Sequence, residues 1–405
     1  MSAALDQSLQ GDLSAMRDAG TLKTFRHITG PMDTQVSMAE KSGPVLVLSS
    51  NNYLGLADHP QVVAAGKKAL DEFGAGTASV RFICGTFSIH EEIERTLAQL
   101  SHTEAALTYV SCWTANTGLM PAIAGEQDAL VSDELNHASL IDGCRASKAK
   151  RLVYKHSDMA DLEAKFQAIK GARRIFVVTD GVFSMEGDIA KLPEIIVLAK
   201  KHGASIILDD SHGTGVMGKH GRGTAEHYGV EGQIDIITGT LGKALGGAAG
   251  GYVAGSKTLI DYLSQVSRPQ LFSNALPATI AASAGKAIEI LNKEPQRVAR
   301  LHEITRKLRD GLKNLGFEPL EGESAIVPII VGDTAFAIKM SQMLLAEGIF
   351  VTGFGYPVVP QGTARLRIQA CATLTDDQIT FALRTFERVG EQAGVIGRVR
   401  QAASA

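Results

Sequence analysis

Seven short apolar segments recur through the middle of this 405-residue chain, and segments with helical periodicity separate most of them. Continuous apolar strands that alternate with helices are typical of a mostly parallel sheet covered on both faces. The sequence therefore predicts an α/β fold built on one seven-stranded, mostly parallel sheet with helices on both faces. The predicted strands are 105–110, 129–132, 151–154, 175–179, 205–208, 234–237 and 251–254.

The pattern changes after the last of these strands, near residue 277. Two long helices are predicted first, and a shorter alternation of strands and helices follows them. These elements are helices at 278–291 and 295–315, a strand at 326–331, a helix at 335–347, a strand pair at 349–351 and 364–368, and a helix at 376–389. We therefore expect three regions. They are an N-terminal helix and arm (1–50), a large domain (51–277) and a smaller C-terminal α+β domain (278–405).

The composition argues against several classes of protein. The formal net charge is -3, which gives no electrostatic reason to expect binding to nucleic acid or to an anionic membrane. No apolar run is long enough to span a bilayer, and the acidic N-terminus does not resemble a secretory signal. The four cysteines are scattered and lack metal-ligand spacing. These features predict a cytoplasmic protein with reduced thiols and no metal site.

Polar residues follow several of the predicted strands, and ligands of open α/β sheets bind beyond the carboxyl ends of strands. Ser111, Cys112 and Trp113 follow the first strand and open a helix whose N–H groups suit a phosphate. An ordinary helix cap is the alternative. His137 follows the second strand, where a capping or surface histidine is equally compatible with the sequence. Ser184 follows the fourth strand, so all five residues are expected at one edge of the sheet.

Asp209 ends the fifth strand and is the most informative of the strand-end residues. A carboxylate at the end of a buried parallel strand is costly unless it has a partner. The protonated ring nitrogen of pyridoxal phosphate (PLP) is such a partner, because the electron-sink role of this cofactor depends on a carboxylate there. His212 follows at i+3 and could address the ring hydroxyl. The pair predicts a PLP site.

Lys243 follows the sixth strand and is the only charged residue of the glycine-rich segment 238–247. The glycines would allow a bulky ligand to approach the backbone. The lysine could be a solvated loop residue, a phosphate clamp or a nucleophile, since an amine in an apolar setting can form a Schiff base. The presence of Asp209 favours the role of nucleophile for Lys243. Asp209 offers a partner for the ring nitrogen of PLP, and a lysine that only bound phosphate would not need such a partner. Thr240 then takes the phosphate-binding role.

Two short motifs nearby resemble nucleotide-binding sequences. Residues 213–218 match GxGxxG after a strand, but the next segment does not open an apolar helix and the strand is not the first of the sheet. The pair Gly242-Lys243 lacks the Ser or Thr and the earlier glycine of a P-loop. A dehydrogenase therefore stays only as a remote alternative.

Four longer motifs resemble those of the α-oxoamine synthases, a family of fold-type I PLP enzymes that join an amino acid to an acyl-CoA. The resemblance extends from about residue 25 to about residue 394. Its motifs are NNYLG at 51–55, DDSHGTG at 209–215, TGTLGKA at 238–244 and RLR at 365–367. The resemblance implies the fold of type I PLP-dependent transferases and an obligate homodimer.

The resemblance also implies a role for each candidate residue. Lys243 would bind PLP covalently and move the α-proton of the amino acid, and Asp209 would pair with the ring nitrogen. His212 and Ser184 would act at the ring oxygen, and His137 would stack on the ring and help to polarise the thioester. The remaining implied roles are phosphate binding by Ser111, Cys112, Trp113 and Thr240, completion of the phosphate site of the partner subunit by Ser273 and Asn274, and binding of the substrate carboxylate by Asn51 and Arg367.

Within this family the chain is most similar to the members that acetylate glycine. The closer match lies in residues 78–86, 180–185, 267–269, 271–274, 351–354 and 356–360. It implies condensation of glycine with acetyl-CoA to 2-amino-3-oxobutanoate and CoA, a step of threonine catabolism. Val80 and Phe82 are apolar, which disfavours a succinyl donor because its second carboxylate would be buried unpaired.

Two alternatives within this fold stay open. One is an enzyme like 8-amino-7-oxononanoate synthase, with another amino acid or a longer acyl donor. The other is a non-catalytic subunit, and the presence of Lys243, Asp209 and His137 counts against it.

Overall fold

The computed structural model describes residues 3–396, and tertiary contacts divide them into two compact units. The larger unit contains residues 51–184 and 188–301, and the smaller unit contains residues 3–50, 185–187 and 302–396. No helix within residues 3–396 combines the length and the apolar composition that crossing a bilayer requires.

The strands in the described part of the chain are β1 (Gln35–Met38), β2 (Lys41–Val47), β3 (Ala105–Tyr109), β4 (Ala129–Asp133), β5 (Lys150–Tyr154), β6 (Ile175–Asp180), β7 (Ala204–Asp209), β8 (Ile236–Thr240), β9 (Gly251–Gly255), β10 (Ile326–Gly332), β11 (Ile349–Phe350), β12 (Thr352–Phe354) and β13 (Ala364–Gln369). The α-helices are α1 (Ala3–Asp18), α2 (Pro60–Phe73), α3 (Ser88–Leu100), α4 (Cys112–Ile123), α5 (Ala138–Ala146), α6 (Met159–Gln167), α7 (Leu192–His202), α8 (Thr224–His227), α9 (Lys257–Val266), α10 (Arg268–Phe272), α11 (Ala278–Lys293), α12 (Gln296–Leu315), α13 (Thr334–Ala346) and α14 (Asp376–Gln392). A short π-helical turn spans Arg81–Gly85.

The larger unit is built on a seven-stranded sheet in the order β3-β9-β8-β7-β6-β4-β5. The neighbouring strands from β8 through β7, β6 and β4 to β5 are all parallel. Strand β9 runs antiparallel to both of its neighbours, β3 and β8. Every predicted strand of this sheet overlaps an observed strand, and the predicted seven-stranded, mostly parallel architecture is confirmed.

Side chains of the central strands alternate between two buried clusters, one on each face of the sheet. In β4, Leu130 lies in one cluster and Val131 in the other, and in β7 the same alternation holds for Ile207 and Leu208. Helices α4, α5 and α9 supply the apolar cover of one face, and α6 and α7 supply that of the other. Because both faces are buried, these strands carry the continuous apolar runs that identify them in the sequence.

Helix α11 belongs to the larger unit, where it packs against α2 and α3. Its buried residues include Ala281, Ala284, Ile288 and Leu291. The sequence prediction placed this helix in the C-terminal domain, since it follows the last strand of the large sheet. The units instead divide inside α12, between residues 301 and 302. Helical periodicity defines an apolar face but not the element that covers it, which accounts for the difference.

The smaller unit contains two three-stranded sheets, β10-β13-β12 and β1-β2-β11. The sequence predicted that residues 349–351 and 364–368 pair with each other. In the structure residues 349–350 form β11, which joins β2 in parallel, and the strand that pairs antiparallel with β13 is the following one, β12. The predicted pairing is therefore wrong. A run of six residues, 349–354, that serves two sheets leaves no distinct pattern in the sequence.

Candidate active site

Three adjacent strands of the larger unit carry one row of polar residues at or near their carboxyl ends. Asp180 at the end of β6 lies in register with Asp209 at the end of β7, and Asp209 lies in register with Thr238 in β8. All three are buried. Burial raises the pKa of Asp180 well above its usual range, and the charge of nearby Lys243 opposes that effect. The structure thus brings Lys243 and Asp209 to the same edge of the sheet.

The carboxylate of Asp209 is held in a fixed orientation. Its Oδ1 accepts the backbone N–H of Ser211 at 2.9 Å, and its Oδ2 accepts the side-chain amide of Asn116 at 2.6 Å. The Cys112 thiol lies 3.6 Å from the same Oδ2, and burial followed by the Asp209 charge raises the pKa of that thiol. A buried carboxylate positioned in this way fits a protonated ring nitrogen, so the residues suit the cofactor that the sequence predicts.

The N-terminus of α4 provides backbone donors beside this carboxylate. Ser111 caps the helix and accepts the N–H of Thr114 at 3.1 Å, and Cys112 and Trp113 form the first turn. A Cβ atom at Gly251 in β9 would overlap the backbone nitrogen of Cys112. Glycine at this position therefore lets the start of the helix lie directly against β9, where its N–H groups can receive a phosphate.

Thr240 at the end of β8 lies close to the same helix start. Its hydroxyl accepts the N–H of Gly242 at 3.1 Å and donates to the carbonyl of Gly250 at 3.2 Å. Ser111 forms an isolated parallel bridge with the same Gly250. Two of the predicted phosphate-binding residues, which are more than a hundred positions apart in the sequence, therefore meet at one point of the fold.

His137 precedes α5 and faces the same edge of the sheet. Its ring lies edge-on to that of Trp113, with 6.1 Å between the ring centroids. Its backbone N–H donates to Oδ2 of Asp180 at 2.6 Å. The sequence did not predict that Asp180 binds the backbone of His137. The available signal was the position of Asp180 at the end of the fourth strand, which pairs with the strand that ends at Asp209.

His212 is buried and contacts Tyr53, for which the sequence predicted no role in the site. Its Nδ1 lies 2.8 Å from the hydroxyl of Tyr53, and the two rings pack edge to face at 6.1 Å. The Tyr53 hydroxyl also lies 3.5 Å from Oδ1 of Asn51. Tyr53 thus connects a predicted cofactor residue with a predicted substrate residue, and its presence in the NNYLG motif was the available signal.

The turn that carries Ser184 is stabilised by ionic contacts of a nearby histidine, His156, with two aspartates. His156 contacts Asp133 through Nδ1 at 3.0 Å and Asp188 through Nε2 at 2.9 Å. Burial lowers the pKa of His156, but the two carboxylates outweigh it and raise that pKa to about 10. The backbone N–H of Phe183 donates to the carbonyl of Asp188 at 3.0 Å. Together these bonds define the turn in which Ser184 lies.

The remaining predicted residues are carried by other elements of the chain. Ser273 and Asn274 follow α10. Arg367 belongs to β13 of the smaller unit, where its guanidinium lies 4.9 Å from the ring centroid of Phe354.

Comparison with known proteins agrees with this arrangement. Residues 43–386 match the family model of class I and II aminotransferases. A 2-amino-3-ketobutyrate coenzyme A ligase from Escherichia coli is 46% identical over 392 residues, covering 96% of this chain and 98% of the relative. An 8-amino-7-oxononanoate synthase from Thermosipho melanesiensis is 46% identical over 385 residues, covering 95% and 98%. A solved serine palmitoyltransferase from S. paucimobilis, with PLP and myriocin bound, superposes with a TM-score of 0.92 at 33% identity, covering 98% and 100%.

A mostly parallel seven-stranded sheet with a lysine and a buried carboxylate at one edge is the architecture of the fold-type I PLP-dependent enzymes, and the predicted cofactor is confirmed. Within that class, the chain belongs to the α-oxoamine synthase family. It is a PLP-dependent acyltransferase, as the sequence predicted. Two relatives with different names are equally similar to it, so the similarity defines the reaction class and leaves the substrate pair open.

Proposed function

We propose that this enzyme condenses glycine with acetyl-CoA to give 2-amino-3-oxobutanoate and CoA. The observation that carries this choice is the ion pair of Arg81, the cation of the segment 78–86. Its guanidinium binds both carboxylate oxygens of Glu94, at 2.6 and 3.1 Å, and its side chain is only 13% exposed. A donor whose acyl chain ends in a second carboxylate would find no available cation in this segment. A short neutral acyl group avoids that cost.

The same segment lies beside two residues that we assign to the cofactor phosphate of a second subunit. Val80 forms a bridge with Asn274, next to Ser273, and Phe82 and Ile83 are 63% and 69% exposed. Exposed apolar side chains in a group of this kind mark contact surfaces between proteins. We therefore infer a homodimer in which this surface is buried and the segment borders the acyl-binding site of the partner subunit.

In the proposed reaction, residues of the larger unit hold the cofactor and move the substrate proton. Lys243 would hold PLP through its amine, and Asp209 would pair with the ring nitrogen. When bound, PLP supplies an electron sink for negative charge at the α-carbon of the amino acid. The amine of Lys243 would remove one proton from the α-carbon of glycine, and that proton balances the thiolate of CoA, which leaves as the thiol. His137 donates a hydrogen bond to the thioester oxygen, where negative charge develops as the α-carbon attacks and CoA leaves.

The substrate carboxylate needs a separate anchor, which we assign to Asn51 and Arg367. A guanidinium can form two parallel hydrogen bonds to a carboxylate, which fixes the orientation of the amino acid as well as its position. That orientation determines which bond to the α-carbon is broken.

The substrate pair can be tested by measuring CoA release over a matrix of amino acids and acyl-CoA donors. We expect kcat/KM for glycine with acetyl-CoA to exceed that for alanine with a pimeloyl donor by at least about tenfold, because the distal carboxylate of the longer donor would be left unpaired. Glycine with butyryl-CoA is the control for chain length without charge. The proposed substrate pair is wrong if alanine with the pimeloyl donor is the better combination.

The proposed dimer predicts complementation between two inactive variants. Lys243→Ala removes the amine from one subunit, and Asn274→Asp places a negative charge beside the phosphate of the other site. A mixed dimer has one site with both defects and one site with neither, so an equal mixture that exchanges subunits should recover about a quarter of the wild-type activity. Activity is measured before and after exchange. No recovery, despite exchange shown by native mass spectrometry, would contradict a shared site.

We also propose a pathway and a compartment for this reaction. The product 2-amino-3-oxobutanoate has the carbon skeleton of threonine oxidised at the third carbon, which supports a place in threonine catabolism. Cys84, Cys112 and Cys144 form no disulfide within the described part of the chain, which supports a reducing compartment such as the cytoplasm.

A further inference from the structure

A chain of hydrogen bonds connects His137 with Asp209 through two residues that have no part in the reaction described above. The side-chain amide of Asn116 in α4 lies 2.6 Å from Oδ2 of Asp209 and 2.9 Å from Oγ of Ser139 in α5. The Ser139 hydroxyl in turn lies 2.8 Å from Nδ1 of His137. Asn116 and Ser139 are both buried, at 0% and 1% exposure. The bond between Asn116 and Ser139 is therefore shielded from water, whereas His137 at the end of the chain of bonds is exposed.

The chemistry of these groups fixes the direction of the two bonds that Asn116 makes. A carboxylate oxygen can only accept, so the atom of Asn116 that faces Asp209 is the donating Nδ2. That nitrogen carries two hydrogens, and the second is directed to Oγ of Ser139. The sulfur of Cys112 lies farther from it, at 3.7 Å. Since Ser139 Oγ accepts from Asn116, its own hydrogen is available for Nδ1 of His137.

A second contact, from the backbone of Ser139, determines that Nδ1 of His137 accepts a hydrogen bond. The backbone N–H of Ser139 is directed at Nδ1 of His137 at 3.2 Å, where the histidine caps the N-terminus of α5. A backbone N–H cannot accept a hydrogen bond, so Nδ1 must present its lone pair. The backbone contact therefore requires Nδ1 without a proton, the hydroxyl contact is compatible with it, and the ring proton is left on Nε2.

We propose that Asn116 and Ser139 are positioning residues that hold His137 in its Nε2–H tautomer and couple its ring to the carboxylate of Asp209. The inference rests on the proposed roles of His137 and Asp209. In that setting, the Nε2–H is the group that can donate to the thioester oxygen, and a ring with the proton on Nδ1 could not do so. The amide of Asn116 thus orients both Asp209, proposed to pair with the ring nitrogen, and His137, proposed to bind the thioester oxygen.

The packing of α4 against α5 makes this chain of bonds possible. A Cβ atom at Gly143 would lie 2.7 Å from the backbone oxygen of Asn116. Glycine at this position allows the two helices to approach closely, which brings the amide of Asn116 within reach of Ser139 on the facing helix. A larger residue at 143 would separate them.

The tautomer of His137 can be measured directly by nitrogen NMR of histidine-labelled protein, with and without cofactor. We expect wild-type Nδ1 to show the shift of an unprotonated nitrogen at neutral pH, with the signal assigned by its loss in His137→Gln. Ser139→Ala should increase the Nδ1–H population at least about twofold, since the hydroxyl donor is lost while the backbone N–H of residue 139 remains. Ser139→Thr keeps the hydroxyl and should restore the wild-type shift. Wild-type Nδ1 that carries a proton would overturn the inference.

Kinetics provide a second readout with a matched control. We expect Ser139→Ala and the near-isosteric Asn116→Leu to lower kcat about tenfold or more while KM for glycine changes less than about threefold, because the amino acid is held elsewhere. Ser147 caps the opposite end of α5, where its hydroxyl donates to the carbonyl of Ala124 at 2.7 Å. Ser147→Ala removes a structural hydroxyl of the same helix and should leave kcat and the His137 shifts unchanged.

The two measurements separate this inference from the proposed substrates. An enzyme that prefers another substrate pair but shows the expected His137 shifts would contradict the proposed function alone. An enzyme with the proposed activity whose His137 shifts do not change in Ser139→Ala would contradict the inference alone.

Discussion

Replacing Lys243 by alanine is expected to abolish both the acyl transfer and the yellow colour of the purified enzyme. The amine at this position is proposed to hold PLP and to move the α-proton, so its loss removes a covalent anchor and a general base together. General acid–base catalysis by one positioned group contributes about 10² to 10⁴ in rate, so kcat should fall by at least about 10⁴-fold when both roles are lost. The measurements are CoA release and the visible absorption spectrum after dialysis.

Lys257 provides the control for the general loss of a lysine. It lies at the start of α9, is exposed and pairs with Asp261. Lys257→Ala should keep the colour and the rate. A Lys243→Ala protein that stays yellow after exhaustive dialysis, or that turns over at more than about a hundredth of the wild-type rate, would show that another residue performs these roles.

Replacing Asp209 by asparagine should lower kcat/KM by about 10² to 10³-fold. The change keeps the shape of the side chain and an oxygen that can accept from Asn116 or Ser211, but it removes the negative charge opposite the ring nitrogen. Preorganised charges in buried sites contribute about 3–4 kcal/mol to transition-state stabilisation, which corresponds to this loss. The midpoint of urea unfolding should change little, so the defect can be assigned to chemistry and not to folding.

Asp210, the next residue in the chain, is the matched control. It is also buried, and its carboxyl accepts the backbone N–H and the hydroxyl of Thr224, each at 2.9 Å. Burial raises the pKa of Asp210 to about 7, so near neutral pH this carboxyl is often uncharged and an amide is a closer substitute. Asp210→Asn should cost less than about tenfold in kcat/KM. An equal loss in both variants would mean that the charge of Asp209 has no special role.

Particular residues show why some features could be predicted and others could not. The central strands were recognised because Leu130, Val131, Ile207 and Leu208 are all apolar, which a sheet covered on both faces requires. The segment 349–354 was misassigned because it contributes to two sheets within a few residues. The assignment of α11 to the larger unit depends on the helices that it contacts, and a periodic pattern does not contain that information.

The same contrast holds within the candidate site. Asp209 and Lys243 could be proposed from the sequence, because charged residues at the ends of buried strands need a chemical reason. Asn116 had no such signal, since a polar residue one turn into a helix is ordinary until the facing residues are known. Its contacts are with Ser139 and Asp209, which are 23 and 93 positions away. Tyr53 was recognised as part of a motif, but its contact with His212 spans 159 positions.

The sequence by itself determined the class of sheet, the family, the cofactor and the residues that follow each strand, because burial and strand order constrain those features locally. The tertiary structure alone decided how those residues are oriented. The direction of the amide of Asn116, the proton on His137 and the ion pair of Arg81 with Glu94 all depend on contacts between helices and strands that are distant in the chain. Hydrogen bonds act over about 3 Å, so their partners are specified only once packing has brought the elements together.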